Sequence, residues 1–404
     1  MSLLLPPVTW VEVSASALHH NIAVLRQASR SGGRSPRLCV MVKGNAYGHG
    51  MIPAARELLA AGVDWLGTHD LFEIAALRDA GITAPIYNVG YLSPAQIPAA
   101  VALGARFVAY DHEVLRAASA AALATGQPAR LHIKLETGNN RQGLRQPQAV
   151  AFAQEAATLP GIEIEGLCTH FADIEDTTNH TFAHSQLARF HSIADAVRQV
   201  LQLPTRGAPG DTLLEHCANT AALLLWPEVC GSMVRFGIGA YGLWPSKETW
   251  LSVCELGQKP VELRPALTWK AQIAQVRGVP KGEYVGYGRT FRTVRDSQIA
   301  ILPVGYYDGY DRSLSGVGKV LIRGQRAPVV GRVAMNMIAV DVTDAGRPDL
   351  PVTAGEEVVL LGRQQDPDGS WEAISADELA GWAGTIHYEI TTRINDRILR
   401  RMVD

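Results

Sequence analysis

Leu38-Cys39-Val40-Met41-Val42-Lys43-Gly44-Asn45-Ala46-Tyr47-Gly48-His49-Gly50 is an apolar run that ends in one lysine and then turns through three glycines around a tyrosine. Residues 38–42 read as a strand bounded by a turn. Seven further strand candidates follow at 65–68, 86–89, 107–110, 131–135, 164–169, 213–217 and 233–236. Between most of them lie alanine-rich stretches with apolar residues three or four apart, such as Ile52, Ala55, Leu58, Leu59 and Leu71, Ile74, Leu77. Gly62 and Gly81 stand where helix C-caps belong, and Ser93-Pro94-Ala95-Gln96 reads as a capping box. Eight strands alternating with helices predict an α/β chain with a (β/α)8 TIM-type barrel.

Past residue 250 the pattern changes. Residues 260–265 read as a linker, followed by short strands around 267–276, Val304, 320–322, 338–342 and 358–361. Turns are expected at Pro280-Lys281-Gly282, Arg323-Gly324-Gln325 and Asp344-Ala345-Gly346. Ser375-Ala376-Asp377-Glu378 opens a helix, and a last strand is expected near 386–391. The predicted organisation is a barrel over 1–250 and a mainly β domain over 251–404.

The 404 residues exceed one compact core. With 47% apolar and 19% charged residues, net charge −2 and pI about 6.6, composition suits a soluble enzyme and gives no reason for nucleic acid or an acidic membrane as partner. Leu3-Leu4-Leu5 is too short for a signal peptide, and no apolar stretch approaches a membrane span. Five scattered cysteines without a Cys-x-x-Cys pair read as reduced thiols of a cytoplasmic protein.

Barrel enzymes carry their chemistry at the C-terminal ends of the strands. There Lys43, pressed against apolar walls, loses its proton more easily and can condense with an aldehyde. On the fifth strand Arg130, His132, Lys134 and Glu136 alternate with apolar residues and lead to Thr137-Gly138-Asn139-Asn140-Arg141. Thr169-His170, Ala218-Asn219-Thr220 and Arg235-Phe236-Gly237-Ile238-Gly239-Ala240-Tyr241-Gly242 follow the last three strands. The final run contains Gly-x-Gly-x-x-Gly, but it closes the series of units instead of opening a βαβ unit, so a dinucleotide site is not expected. Thr220, Gly237 and Ile238 suit a small phosphate after strands seven and eight. His180 and His184 are four apart without a third ligand; they read as solvent-exposed, and no metal site is expected.

These runs resemble the alanine racemases across nearly the whole chain. In that family the lysine motif usually reads Lys-Ala-Asn-Ala-Tyr-Gly-His-Gly. The resemblance implies pyridoxal 5'-phosphate as cofactor, held by Lys43, with Asn219, Thr220, Gly237 and Ile238 around it and Tyr47 and Tyr388 on its phosphate. It implies that Arg235 faces the pyridine nitrogen and His170 supports the ring. Arg141 and Met335 would hold the substrate carboxylate. Val285-Gly286-Tyr287-Gly288-Arg289-Thr290-Phe291 resembles the second catalytic motif, whose tyrosine serves the partner subunit of a homodimer. A tyrosine with its ordinary pKa of about 10 is a poor base, so basic neighbours are required; Arg312 matches a family arginine near it. Lys134 matches a lysine often carbamylated there.

The implied activity is interconversion of L- and D-alanine by Lys43 and Tyr287, supplying D-alanine for peptidoglycan. Gly44, Asn139, Gln142, Thr220 and Asn336 depart from the family pattern and leave room for serine or a broader set of amino acids. A fold-related amino-acid decarboxylase and a non-catalytic cofactor-binding protein are the other classes; the Tyr287 motif argues against the first and the second domain against the second.

Overall fold

The computed structural model describes residues 7–31, 33–346 and 349–404, so the Leu3-Leu4-Leu5 run lies outside the described residues. The chain forms two compact units. One comprises Ser16–Gly44 and Met51–Arg264; the other comprises Met1–Ala15, Asn45–Gly50 and Pro265–Asp404. Among the described residues no helix is long and apolar enough to cross a membrane.

The first unit is the expected barrel. Its eight parallel strands are Arg37–Met41, Trp65–Thr68, Ile86–Asn88, Arg106–Ala109, Ala129–Lys134, Ile162–Cys168, Leu214–His216 and Met233–Phe236. Each pairs with the next as far as the seventh, and the eighth pairs with the first. The seam between strands seven and eight carries no continuous ladder. It is closed by the amides of Ser232 and Arg235, which donate to the carbonyls of Glu215 and Ala218, each at 3.1 Å. Cys39, Trp65, Tyr87, Val108, Cys168, Leu214 and Met233 fill one contiguous core cluster of this unit. Strands buried on both faces carry near-continuous apolar runs, which is why the sequence displays them so clearly.

The helices start and stop as the local signals require. Gly62 and Gly81 have φ of +92° and +77°. Each ends a helix in a Schellman arrangement, with Val63 N–H to Leu58 O at 3.1 Å and Ile82 N–H to Leu77 O at 3.0 Å. The Gln96 side chain accepts from Ser93 N–H at 3.0 Å, but the intervening residues form a turn and the helix begins only at Ile97. Helix Lys247–Glu255 belongs to the barrel unit, tied in by a 3.1 Å bond between Ser252 Oγ and His180 Nε2. The last stretch of the barrel unit accordingly runs on to Arg264.

The second unit is mainly β. Thr9–Ser14, which no sequence signal marked, pairs antiparallel with Leu267–Gln272 and parallel with Leu399–Val403. The residues around 267–276 form two strands, Leu267–Gln272 and Gln275–Val279. Val304 is buried just outside strand Ser297–Leu302, so its apolar character reports core and not strand. Arg323 and Gly324, both with positive φ, form the two-residue hairpin between Lys319–Ile322 and Gln325–Val330. The expected strand at 386–391 is instead helix His387–Thr392. Its buried residues are His387, Ile390 and Thr391, a spacing of three and four. β-Branched residues had given it the look of a strand, and packing overrides that weak preference.

An ion cluster in the barrel unit escaped the sequence reading. Arg198, near the end of helix Thr181–Val200, pairs with Asp211 at 3.0 Å and with Glu215, all three side chains no more than 9% exposed. Burial alone would raise the Asp211 pKa, but hydrogen bonds from Arg198 and Gly207 outweigh it and bring it below the ordinary 3.8. That contribution to stability is present above pH 3.8 and is lost as the pH falls through the lowered value. Replacing Arg198 by Ala leaves the buried Asp211 without a cation, while Glu215 keeps only Arg206, and should cost about 3 kcal/mol. Denaturant unfolding checks this; a loss below about 1 kcal/mol, the worth of an exposed pair, would show that the cluster is not truly buried.

Candidate active site

At the end of the first barrel strand the chain enters an unusual turn. Gly44, Asn45, Ala46 and Tyr47 have φ between 54° and 61°, and Gly48 has φ of +87°. The segment is thus a single left-handed helical turn, disfavoured by about 1–2 kcal/mol for each residue with a Cβ. Glycine and asparagine tolerate this region best, which accounts for their places here. At Gly48 a Cβ would stand 1.9 Å from Thr391 O. Asn45 is further fixed by a 2.7 Å bond from its Nδ2 to Asp396. Strain of this kind is held only where the surroundings over-determine it, and it marks functional positions.

Within the barrel unit, Lys43 is half-buried at the start of this turn. Its pKa lies below the ordinary lysine value, first through burial and then through the Arg141 cation, against a smaller opposing effect of Glu73. Lys134, at the end of the fifth strand, is pushed down to about 8 by burial, with Arg235 and Arg141 adding to the effect. His170 is held well below the usual imidazole range by burial and by four cations, Lys134, Arg235, Arg141 and Lys43. One end of the barrel therefore gathers four basic side chains around a neutral histidine. Such a concentration of charge favours an anionic ligand and an amine that gives up its proton readily.

Arg235 is buried, and its guanidinium donates to His216 Nδ1, to His216 O at 2.9 Å and to Thr169 O at 2.6 Å. The Asn219 side chain caps helix Thr220–Leu225 by accepting from Ala222 N–H at 2.9 Å, and its amide donates to Glu175 at 2.7 Å. Thr220 is buried, and a Cβ at Gly239 would meet its Cγ2 at 2.6 Å. Gly237 and Ile238 open the 3-10 turn Ile238–Tyr241. The glycine of the Gly-x-Gly run therefore permits close packing against Thr220. Arg141 is exposed on its loop, while the next residue, Gln142, bonds the Tyr110 side chain. His184 is exposed, whereas His180 is half-buried, and both rings lie against Trp226 at 4.3 and 5.3 Å.

In the β unit, the rings of Tyr47 and Tyr388 lie 6.1 Å apart, with Tyr388 on helix His387–Thr392. Tyr287 sits at the tip of the ribbon formed by Tyr284–Val285 and Phe291–Arg292 and is 75% exposed. Gly286 and Gly288, with φ of +78° and +72°, make that tip, and a Cβ at Gly288 would stand 3.4 Å from the Arg332 guanidinium. Met335 is exposed and its carbonyl accepts from Tyr307 N–H at 3.0 Å. Arg312 is exposed at the start of turn Arg312–Leu314. The sequence reading missed Glu165 and His216, which lie behind Arg235; a histidine next to Glu215 in an otherwise apolar strand was the available signal.

A lysine with a lowered pKa, set at the rim of a parallel barrel among cations, suits amine–carbonyl chemistry on a small anionic molecule. Comparison with known proteins narrows this. Residues 13–245 match the alanine racemase N-terminal domain and residues 266–402 the alanine racemase C-terminal domain. The chain is 41% identical over 393 residues to an alanine racemase of Symbiobacterium thermophilum, covering 97% of this chain and 96% of that one. It superposes on the alanine racemase of D-cycloserine-producing Streptomyces lavendulae with TM-score 0.85 at 31% identity, over 99% and 98% of the two chains. For the Bacillus anthracis alanine racemase with bound L-Ala-P the values are 0.86 and 32%, over 99% and 96%. The chain belongs to the alanine racemase family.

The unusual acidity of Lys134 can be read directly. Acetylation with a limiting anhydride, followed across pH by mass spectrometry, should give Lys134 a midpoint near 8. A midpoint at the ordinary lysine value of about 10.4 would contradict the burial and cationic crowding described above.

Proposed function

We propose that the protein is a pyridoxal-phosphate-dependent racemase that interconverts L- and D-alanine through Lys43 and Tyr287. The observation that carries this reading is the convergence of Lys43, Lys134, Arg141 and Arg235 on His170. The donor set fits the cofactor: a lysine amine of lowered pKa, a buried arginine fixed by three bonds, and a glycine-lined turn beside Thr220 with no room for a Cβ. When bound, pyridoxal phosphate supplies an aldehyde carbon for an amine and a ring that draws electron density from the substrate α-carbon.

The protein's own groups then do the following. Lys43 would hold the cofactor and would carry the α-proton on the face used for D-alanine. Thr220, Gly237 and Ile238 would hold the phosphate, with Tyr47 and Tyr388 as the tyrosines the family implies for it, and Asn219 caps the helix that starts at Thr220. Arg235 faces the ring nitrogen. Arginine does not surrender its proton, so that nitrogen stays unprotonated and the ring is a weaker electron sink. A weak sink suits racemisation, which gains nothing from a long-lived carbanion. His170, kept neutral by burial and by its cationic neighbours, would support the ring. Arg141 and the Met335 backbone orient the carboxylate, with Lys134 steadying Arg141 and Arg312 supporting Tyr287.

Racemisation needs a second base on the opposite face of the α-carbon. Tyr287, exposed at the ribbon tip beside Arg332, is free to serve a second copy of the chain, and Met335 is exposed with it. The active species is therefore a homodimer with shared sites. A cytoplasmic enzyme that provides D-alanine for peptidoglycan is the setting the family implies. Asn139 and Gln142 line a small cavity with Lys134, Arg141 and His170, so they are the positions at which serine or a larger substrate would be admitted.

Two variants test the scheme. Lys43→Ala should abolish covalent retention of the cofactor, read by the visible absorption of dialysed protein. Tyr287→Phe should keep the cofactor and lose about 100- to 10,000-fold in racemisation, measured by chiral chromatography. Mixing the two inactive variants should restore part of the activity through mixed dimers. Normal turnover by Tyr287→Phe sinks the two-base scheme, and absence of complementation sinks the shared site.

A further inference from the structure

Behind Arg235 a chain of hydrogen bonds crosses the barrel interior. Arg235 donates to His216 Nδ1; His216 Nε2 lies 2.6 Å from His132 Nδ1; His132 Nε2 lies 3.3 Å from the Glu165 carboxylate. Glu165 is paired in turn with Arg106 at 3.2 Å, whose guanidinium lies 4.9 Å over the Trp65 ring. His132 and His216 are fully buried, and Tyr87 packs on both rings at 4.5 and 5.4 Å.

Only one arrangement of protons satisfies this chain. A guanidinium can only donate, so His216 Nδ1 must be bare and its proton must sit on Nε2. That proton faces His132 Nδ1, which must be bare in turn and leaves the second proton on His132 Nε2. An ionised carboxylate can only accept, and Glu165 stands where this last proton points. Both rings are neutral: burial lowers each pKa, with Arg235 adding to the effect. Burial alone would raise the Glu165 pKa, but the bond from His132 and the Arg106 cation outweigh it, so the carboxylate stays ionised.

The backbone is shaped to deliver Glu165 to this place. Between strands five and six the register jumps: Leu131 pairs with Ile164, whereas His132 pairs with Gly166. Glu165 is the extra residue of a bulge, a device that re-aims a side chain. The next residue has no side chain for a plain reason, since a Cβ on Gly166 would stand 2.5 Å from His132 Nδ1 and 2.7 Å from Leu214 O. A histidine pair that merely filled the core would need neither the bulge nor the glycine.

We propose that Glu165 is a positioning residue that sets, through His132 and His216, the acceptor Arg235 holds and hence the orientation of the guanidinium toward the ring nitrogen. The proton order is independent of the racemase reading; the consequence at the cofactor rests on it. Glu165→Gln keeps an oxygen that can accept from His132, whereas Glu165→Leu leaves the His132 Nε2 proton without an acceptor and frees the ring to shift from its place against His216.

The test is nitrogen-15 NMR of histidine-labelled protein, with and without pyridoxal phosphate, on the wild type, Glu165→Gln and Glu165→Leu. Both wild-type rings should be neutral with bare Nδ1 and protonated Nε2. Glu165→Gln should match them. Glu165→Leu should show displaced ring signals of His132 and His216 and a moved absorption band of bound cofactor, with a melting temperature confirming that it folds. Charged rings or the reverse tautomer in the wild type would overturn the proposal. So would a Glu165→Leu protein identical to wild type in both ring signals and absorption. Wild-type protein with the stated proton order but no alanine racemisation would fail the functional reading and support this one.

Discussion

Arg235 closes the barrel. Strands seven and eight share no continuous ladder, and the Arg235 amide makes one of the two backbone bonds that span the gap. Its guanidinium makes further bonds to His216 and Thr169, which lie on and beside the strands it must be joined to. The residue that faces the proposed ring nitrogen is thus also the one that holds the seam. Fixing a guanidinium from several sides limits its rotamers, which is what a group meant to present one N–H to a ligand requires.

The other cations gain meaning from that fixed point. Arg235, Lys134, Arg141 and Lys43 all act on His170, and Arg235 and Arg141 also depress Lys134. Like charges brought together in a buried place repel, and the arrangement persists because the strands hold it, in the way strain persists at working sites. The left-handed turn after Lys43 is a second strained element at the same strand end, held by Asn45 and Gly48. Stability is given up at the rim, while the ion cluster of Arg198, Asp211 and Glu215 secures the strand that carries His216.

All eight barrel strands were legible because parallel strands buried on both faces must be apolar along their length. The caps at Gly62 and Gly81 were legible because left-handed φ selects glycine. What stayed hidden depended on partners distant in sequence. Glu165 looks like one more alternating polar residue until the register jump re-aims it. Arg198 meets Glu215 only after a loop folds back. Thr9–Ser14 has no turn or period that reveals its two neighbours, both more than 250 residues away. Helix His387–Thr392 was hidden for the opposite reason, since its local composition favours a strand. At the site, the residues of the lysine, Arg-Phe-Gly-Ile and tyrosine runs were legible as motifs; the chain joining Arg235 to Glu165 was not.

The placement of Thr9–Ser14 bears on how the chain is made. This segment leaves the ribosome well before either of its neighbours, Leu267–Gln272 and Leu399–Val403. Asn45–Gly50 is likewise claimed by the late-made unit although it interrupts the early-made one. Neither unit is a continuous stretch of sequence, and domains built in this way cannot be completed in order of translation. The sheet of the second unit must wait, with an edge of Thr9–Ser14 unpaired, until Leu399–Val403 has emerged. Loss of Leu399–Val403 would leave Thr9–Ser14 paired on one side only and open its other edge to pairing with other chains.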